Sequence, residues 1–68
     1  MTDFTQAARN EATARLSDDS VVTLYFNPGG VDGWLDTVIY AYDDYDDMLV
    51  WDINGIAIGH TENILEIL

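Results

Sequence analysis

The chain has no cysteine and no lysine, one proline and one histidine, and its cations are Arg9 and Arg15 alone. Without cysteine there can be no disulfide, thiolate metal site or cysteine nucleophile, so an apolar core must hold the molecule together. His60 has no second histidine or cysteine with which to complete a metal or catalytic site, and is read as structural or surface. No apolar run approaches the ~20 residues that span a bilayer. Residues 1–16 hold Asp3, Arg9, Glu11 and Arg15, which is not the pattern of a secretory signal. These absences lead us to expect a protein of the reducing cytoplasm with no membrane association.

What is present is an apolar fraction of 49 %, which separates this chain from disordered sequences of equally high charge. A length of 68 residues fits a single domain over 1–68. The formal charge of -11 is unevenly spread: Asp3 and Glu11 balance the two arginines, and from Ser17 onward there are eleven acids and no Lys or Arg. Such a field repels nucleic acid and anionic membranes and speeds encounter with basic protein surfaces. Between Asp32 and Asp52 lie seven aspartates (Asp32, Asp36, Asp43, Asp44, Asp46, Asp47, Asp52) interleaved with Trp34, Tyr40, Tyr42, Tyr45 and Trp51. Aspartate is depleted in strands and aromatics are enriched there, so this mixture suggests a sheet whose edge or outer face is loaded with charge.

The expected fold class is α+β: an N-terminal helix packed on a three- to four-stranded, mainly antiparallel sheet, with a short C-terminal helix. The four-residue spacing of Phe4, Ala8, Ala12 and Leu16 predicts a helix over 4–16, capped by Thr2 or Asp3, with Glu11 and Arg15 paired on its outer face. Ser17-Asp18-Asp19-Ser20 and Asn27-Pro28-Gly29-Gly30 are turns by composition. Strands are predicted over 21–26, 37–43, 48–53 and 56–59. In the second of these Val38, Tyr40 and Tyr42 share one face and Ile39 and Ala41 the other. Asn54-Gly55 signals a two-residue hairpin turn, which would set Ile53 opposite Ile56 and Trp51 opposite Ile58 and bury Leu49, Trp51, Ile53, Ile56 and Ile58 together. Thr61 can cap a C-terminal helix through Leu68, a last strand over 64–68 being the rival reading.

No motif carries catalysis. The glycines at 29, 30 and 33 match neither a P-loop nor a dinucleotide fingerprint. An EF-hand loop begun at Asp44 puts Met48 at position 5, Leu49 at 6 and Gly55 at 12, where oxygen ligands and glycine are required. No cofactor, dedicated metal site or enzymatic activity is expected. Electrostatic imitation is the remaining reading. Alternate side chains on a strand recur at about 6.6 Å, similar to the phosphate spacing of a nucleic-acid strand, so rows of aspartate on a sheet could occupy a groove built for phosphates. The candidate partner-binding residues are Asp32, Asp36, Asp43, Asp44, Tyr45, Asp46, Asp47 and Asp52, with Tyr42 and Tyr45 as aromatic anchors of the kind enriched at interface hot spots.

In its size, lack of cysteine, anionic charge and the run Asp43-Asp44-Tyr45-Asp46-Asp47 flanked by Asp36 and Asp52, the chain resembles the small acidic inhibitors of phages and mobile elements, in particular anti-CRISPR proteins and other DNA mimics. The resemblance implies an inhibitor that blocks the nucleic-acid channel of a basic partner, a CRISPR effector subunit, without itself binding nucleic acid, in the host cell cytoplasm. Adaptation to high salt is the alternative source of such a composition, with the chain a small interaction module that inhibits nothing. The two arginines and modest acidity of residues 1–16 argue against it, because salt adaptation spreads acid over every face.

Overall fold

The computed structural model describes residues 3–29 and 37–68. One short helix, α1 (Thr5–Arg9), precedes six strands: β1 (Thr13–Leu16), β2 (Val21–Thr23), β3 (Tyr25–Asn27), β4 (Val38–Tyr42), β5 (Met48–Trp51) and β6 (Ile64–Ile67). They form two three-stranded antiparallel sheets, ordered β2-β1-β6 and β3-β4-β5. The predicted strand over 21–26 is therefore two strands, one in each sheet, meeting at Leu24. Leu24 is fully buried and its N–H donates to the Ala12 carbonyl at 2.9 Å. The chain thus crosses between sheets without leaving the core.

The N-terminal helix is much shorter than its spacing predicts. Glu11 takes a positive φ of 53°, and the Ala12 N–H bonds to Ala7 rather than Ala8, which ends the helical ladder. The following residues read equally well with period two: Ala14 and Leu16 point into the core while Thr13 and Arg15 face out. A strand satisfies their backbone against both β2 and β6, and pairing on two sides outweighs a helical preference of tenths of a kcal/mol per residue. Arg15 consequently pairs with Asp19 (2.9 Å) and Glu66 (3.2 Å), not with Glu11. The N-cap is Phe4, without a capping side chain; Asp3, one residue before it, accepts the Thr5 N–H at 2.8 Å.

The C-terminal segment is the strand β6, not a helix. Its register against β1 is Ala14↔Ile67, Arg15↔Glu66 and Leu16↔Ile64, with an irregularity opposite Leu65. Residues 56–59 form no strand either; Trp51 and Ala57 make a single antiparallel bridge. The cause is loop length. Asp52 and Ile56 close a three-residue loop in which the Gly55 N–H returns to the Asp52 carbonyl (3.0 Å) and Gly55 is left-handed at φ 80°. One residue more than a two-residue turn shifts the register by one and turns the faces over. Ala57, not Ile58, lies opposite Trp51, and Ile53 and Ile56 are 37 % and 53 % exposed.

The core gathers Phe4, Ala8, Ala14, Leu16, Val22, Leu24, Ile39, Ala41, Trp51 and Ile64 from the helix and both sheets. Ile39 and Ala41 face inward as the alternation requires, while Tyr42 is exposed. Trp51 is the largest fully buried side chain, and its indole N–H donates to the Glu62 carbonyl at 2.7 Å. His60 stacks edge-on against Trp51 with ring centroids 5.4 Å apart. Its Nε2 lies 2.9 Å from the Val50 carbonyl, which can only accept, so that nitrogen carries the proton.

Gly55 is required twice over. A Cβ there would lie 2.6 Å from the Phe4 ring, in a left-handed conformation that side chains disfavour. Gly55→Ala is expected to cost about 2–4 kcal/mol in urea unfolding. Gly59 shares the φ of 80° but a Cβ would meet open space, so Gly59→Ala should cost only about 1 kcal/mol. Equal losses at the two glycines would contradict this packing.

Candidate functional site: an acidic turn and groove

The acidic run Asp43-Asp44-Tyr45-Asp46-Asp47 is the connection between β4 and β5, as its composition suggested. The Asp43 carboxylate accepts the N–H groups of Tyr45 (2.8 Å) and Asp47 (3.0 Å), the Asp46 N–H returns to the Asp43 carbonyl (3.1 Å), and Asp46 is left-handed at φ 62°. The loop beginning at Asp52 repeats the design. The Asp52 carboxylate accepts from Asn54 (2.9 Å) and Ile56 (3.1 Å), and Gly55 holds the left-handed position that Asp46 holds in the first loop. The side chain of aspartate is short enough to reach backbone two and four residues ahead, which is why these loops begin with Asp.

The candidate residues therefore divide by role. Asp43 and Asp52 are occupied by their own backbone. Asp52 also stands at the far end of β5 from the acidic turn, about 16 Å from Asp47 at ~3.3 Å per residue. Asp32 and Asp36 lie outside the described residues. Asp44, Tyr45, Asp46 and Asp47 are all solvent-exposed, Tyr45 at 86 %. No described aspartate lies within a strand, so the charges do not form rows at strand pitch; they cluster at a turn.

Chain composition could not show which acids from elsewhere stand beside that turn. A groove of about 420 Å³ separates it from the β1–β2 turn and the segment before β6, and is lined by Asp18, Asp43, Asp44 and Glu62 over a floor that includes Leu16, Val21, Val22 and Leu49. Tyr45 stands on its rim side, and no arginine lines it. The Ser20 hydroxyl and then the Ser20 N–H, both donating to Asp18, hold the Asp18 carboxyl below its ordinary range. Thr61, followed by His60, lowers the Glu62 carboxyl, with Asp18 acting weakly in the opposite direction. Arg15, nearby in sequence, is committed to Asp19 and Glu66. Among the described residues no three His, Asp or Glu side chains converge on a common metal position. None of the described helices is long and apolar enough to cross a membrane.

Comparison with family models, curated proteins and solved structures found no match.

The two loops make separable predictions. Asp43→Ala removes the acceptor for two N–H groups and should cost about 1–2 kcal/mol in denaturant unfolding. Asp43→Asn, which keeps an acceptor oxygen, should cost less than half of that, and Asp46→Gly should stabilise by up to about 1 kcal/mol by suiting the left-handed position. A stable Asp43→Ala together with a destabilised Asp46→Gly would overturn the assignment.

Proposed function

We propose that this chain is an acidic binding protein that occupies the basic, nucleic-acid-binding surface of another protein and so excludes the nucleic acid. The observation that carries the reading is the acidic turn itself: Asp44, Asp46 and Asp47 stand out in solvent beside Tyr45, across a groove from Asp18 and Glu62, with no cation lining it among the described residues. A protein that binds DNA or RNA takes much of its affinity from phosphate contacts, and a fixed cluster of carboxylates competes for the same Lys and Arg side chains. Carboxylates on a short turn held by internal hydrogen bonds lose little conformational freedom on binding. The action is binding and not turnover. The compositional resemblance to anti-CRISPR proteins narrows the target to a CRISPR effector subunit in the host cytoplasm.

One observation favours a second reading, in which the chain is a salt-adapted or general interaction module. Asp3, Asp18, Asp43 and Asp52 each accept a backbone N–H two residues ahead, so part of the aspartate content serves local folding. The two readings separate on salt. The inhibitor folds cooperatively in dilute buffer, whereas a salt-adapted domain melts there and gains stability as salt is added.

The decisive experiment titrates the protein into guide-loaded CRISPR effectors of several types and follows target-DNA binding by anisotropy. At least one effector should release DNA, with an apparent affinity that falls as salt rises. Asp44→Asn with Asp47→Asn should weaken competition about three- to thirtyfold, from two exposed ion pairs, without lowering the melting midpoint. Full competition by that double variant would remove the acidic turn from the interface, and failure against every effector would reject the CRISPR assignment.

A further inference from the structure

We propose that the tyrosine cluster Tyr25, Tyr40 and Tyr42 on the sheet β3-β4-β5 is a binding surface for arginine side chains of the partner, an inference that rests on the basic-partner reading above and adds the chemistry by which that partner is recognised. Tyr25 and Tyr40 are cross-strand partners with ring centroids 5.5 Å apart, and Tyr42 lies 6.0 Å from Tyr40, edge-on, and 6.5 Å from Tyr25. Val38 and Val50 on the same face are buried and Tyr25 and Tyr40 are half-buried, so the cluster opens to solvent at its Tyr42 end, where Tyr42 is 48 % exposed. Three clustered rings that stay partly open to solvent in so small a domain forgo some of the burial that aromatic side chains ordinarily supply.

The occupant follows from two observations. The chain carries a charge of -11, which disfavours nucleic-acid bases as the stacking group and favours a cation. The molecule also holds one guanidinium in this manner itself: Arg9 sits 4.4 Å from the centre of the Phe26 ring, at a groove of about 380 Å³ that Tyr25 and Tyr40 also line. Arginine is preferred over lysine because its planar, weakly hydrated guanidinium stacks on aromatic faces, whereas an ammonium keeps its water. Tyr42 is followed directly by the acidic turn, so rings and carboxylates follow one another along the chain.

The test titrates the full chain with a deca-arginine peptide, a deca-lysine peptide and a thymidine decanucleotide, following the tyrosine ring resonances by NMR. Deca-arginine should bind about three- to tenfold more tightly than deca-lysine and move the ring signals of Tyr25, Tyr40 and Tyr42. Tyr40→Leu with Tyr42→Leu, which keeps apolar bulk, should abolish that preference and leave the lysine peptide's affinity unchanged. Should this variant fail to fold, the ring shifts of the unaltered protein decide. Equal affinities with unmoved ring signals would overturn the tyrosine face while leaving the acidic turn as the binding surface. Stacking of the oligonucleotide on these rings would also overturn it. No binding of either peptide would reject the basic-partner reading itself, and this inference with it.

Discussion

Trp51 is the residue through which the two halves of the molecule communicate. It ends β5, yet its indole N–H is satisfied by the Glu62 carbonyl, just before β6 begins in the other sheet. A buried indole without a partner would lose on the order of 1–3 kcal/mol, so the segment that supplies the carbonyl is held wherever Trp51 is held. His60 closes the same arrangement by packing on the ring and donating to the Val50 carbonyl. The segment between β5 and β6 has little regular structure, and these side-chain contacts fix its course. Through it, Glu62 comes to stand at the acidic groove.

Aspartate has two uses in this chain, and they differ in what they ask of the side chain. At Asp43 and Asp52 a carboxylate is drawn back onto its own loop, where its value lies in length and acceptor geometry. At Asp44, Asp46 and Asp47 the exposed carboxylates have no hydrogen-bond partner among the described residues, and in the proposed function their value lies in charge. The first use shapes the second. Because Asp43 holds the loop, the neighbouring acids are presented from a defined backbone, and mutual repulsion among them is carried by hydrogen bonds that a longer glutamate side chain would make less readily.

Local chemistry was legible in the sequence and long-range pairing was not. The turns at 17–20, 27–29 and 43–47 follow from Asp, Asn, Ser, Pro and Gly side chains that act on nearby backbone, and they stand where composition placed them. The strands β4 and β5 follow from β-branched and aromatic runs. The segment 13–16 is ambiguous in sequence because Phe4, Ala8, Ala12 and Leu16 fit a helix while Ala14 and Leu16 also fit a strand, and the deciding partner, β6, lies some fifty residues away. The hairpin at Asn54-Gly55 was recognised, but the carboxylate of Asp52 lengthened its loop by one residue and exchanged Ile58 for Ala57 opposite Trp51. At the site, the acidic turn could be read from adjacent residues. Its apposition to Asp18 and Glu62 depended on tertiary structure, as did the grouping of Tyr25 with Tyr40 and Tyr42.

The passage of one strand through Leu24 makes each sheet a structural dependant of the other. With β2 and β3 in unbroken succession, the hydrogen-bonded ladders on either side of Leu24 share a single length of backbone, and slack in one is transmitted to the next residue of its neighbour. Among the described residues the two sheets are joined through the backbone at Leu24, so the amides of β2 and β3 should open together rather than sheet by sheet.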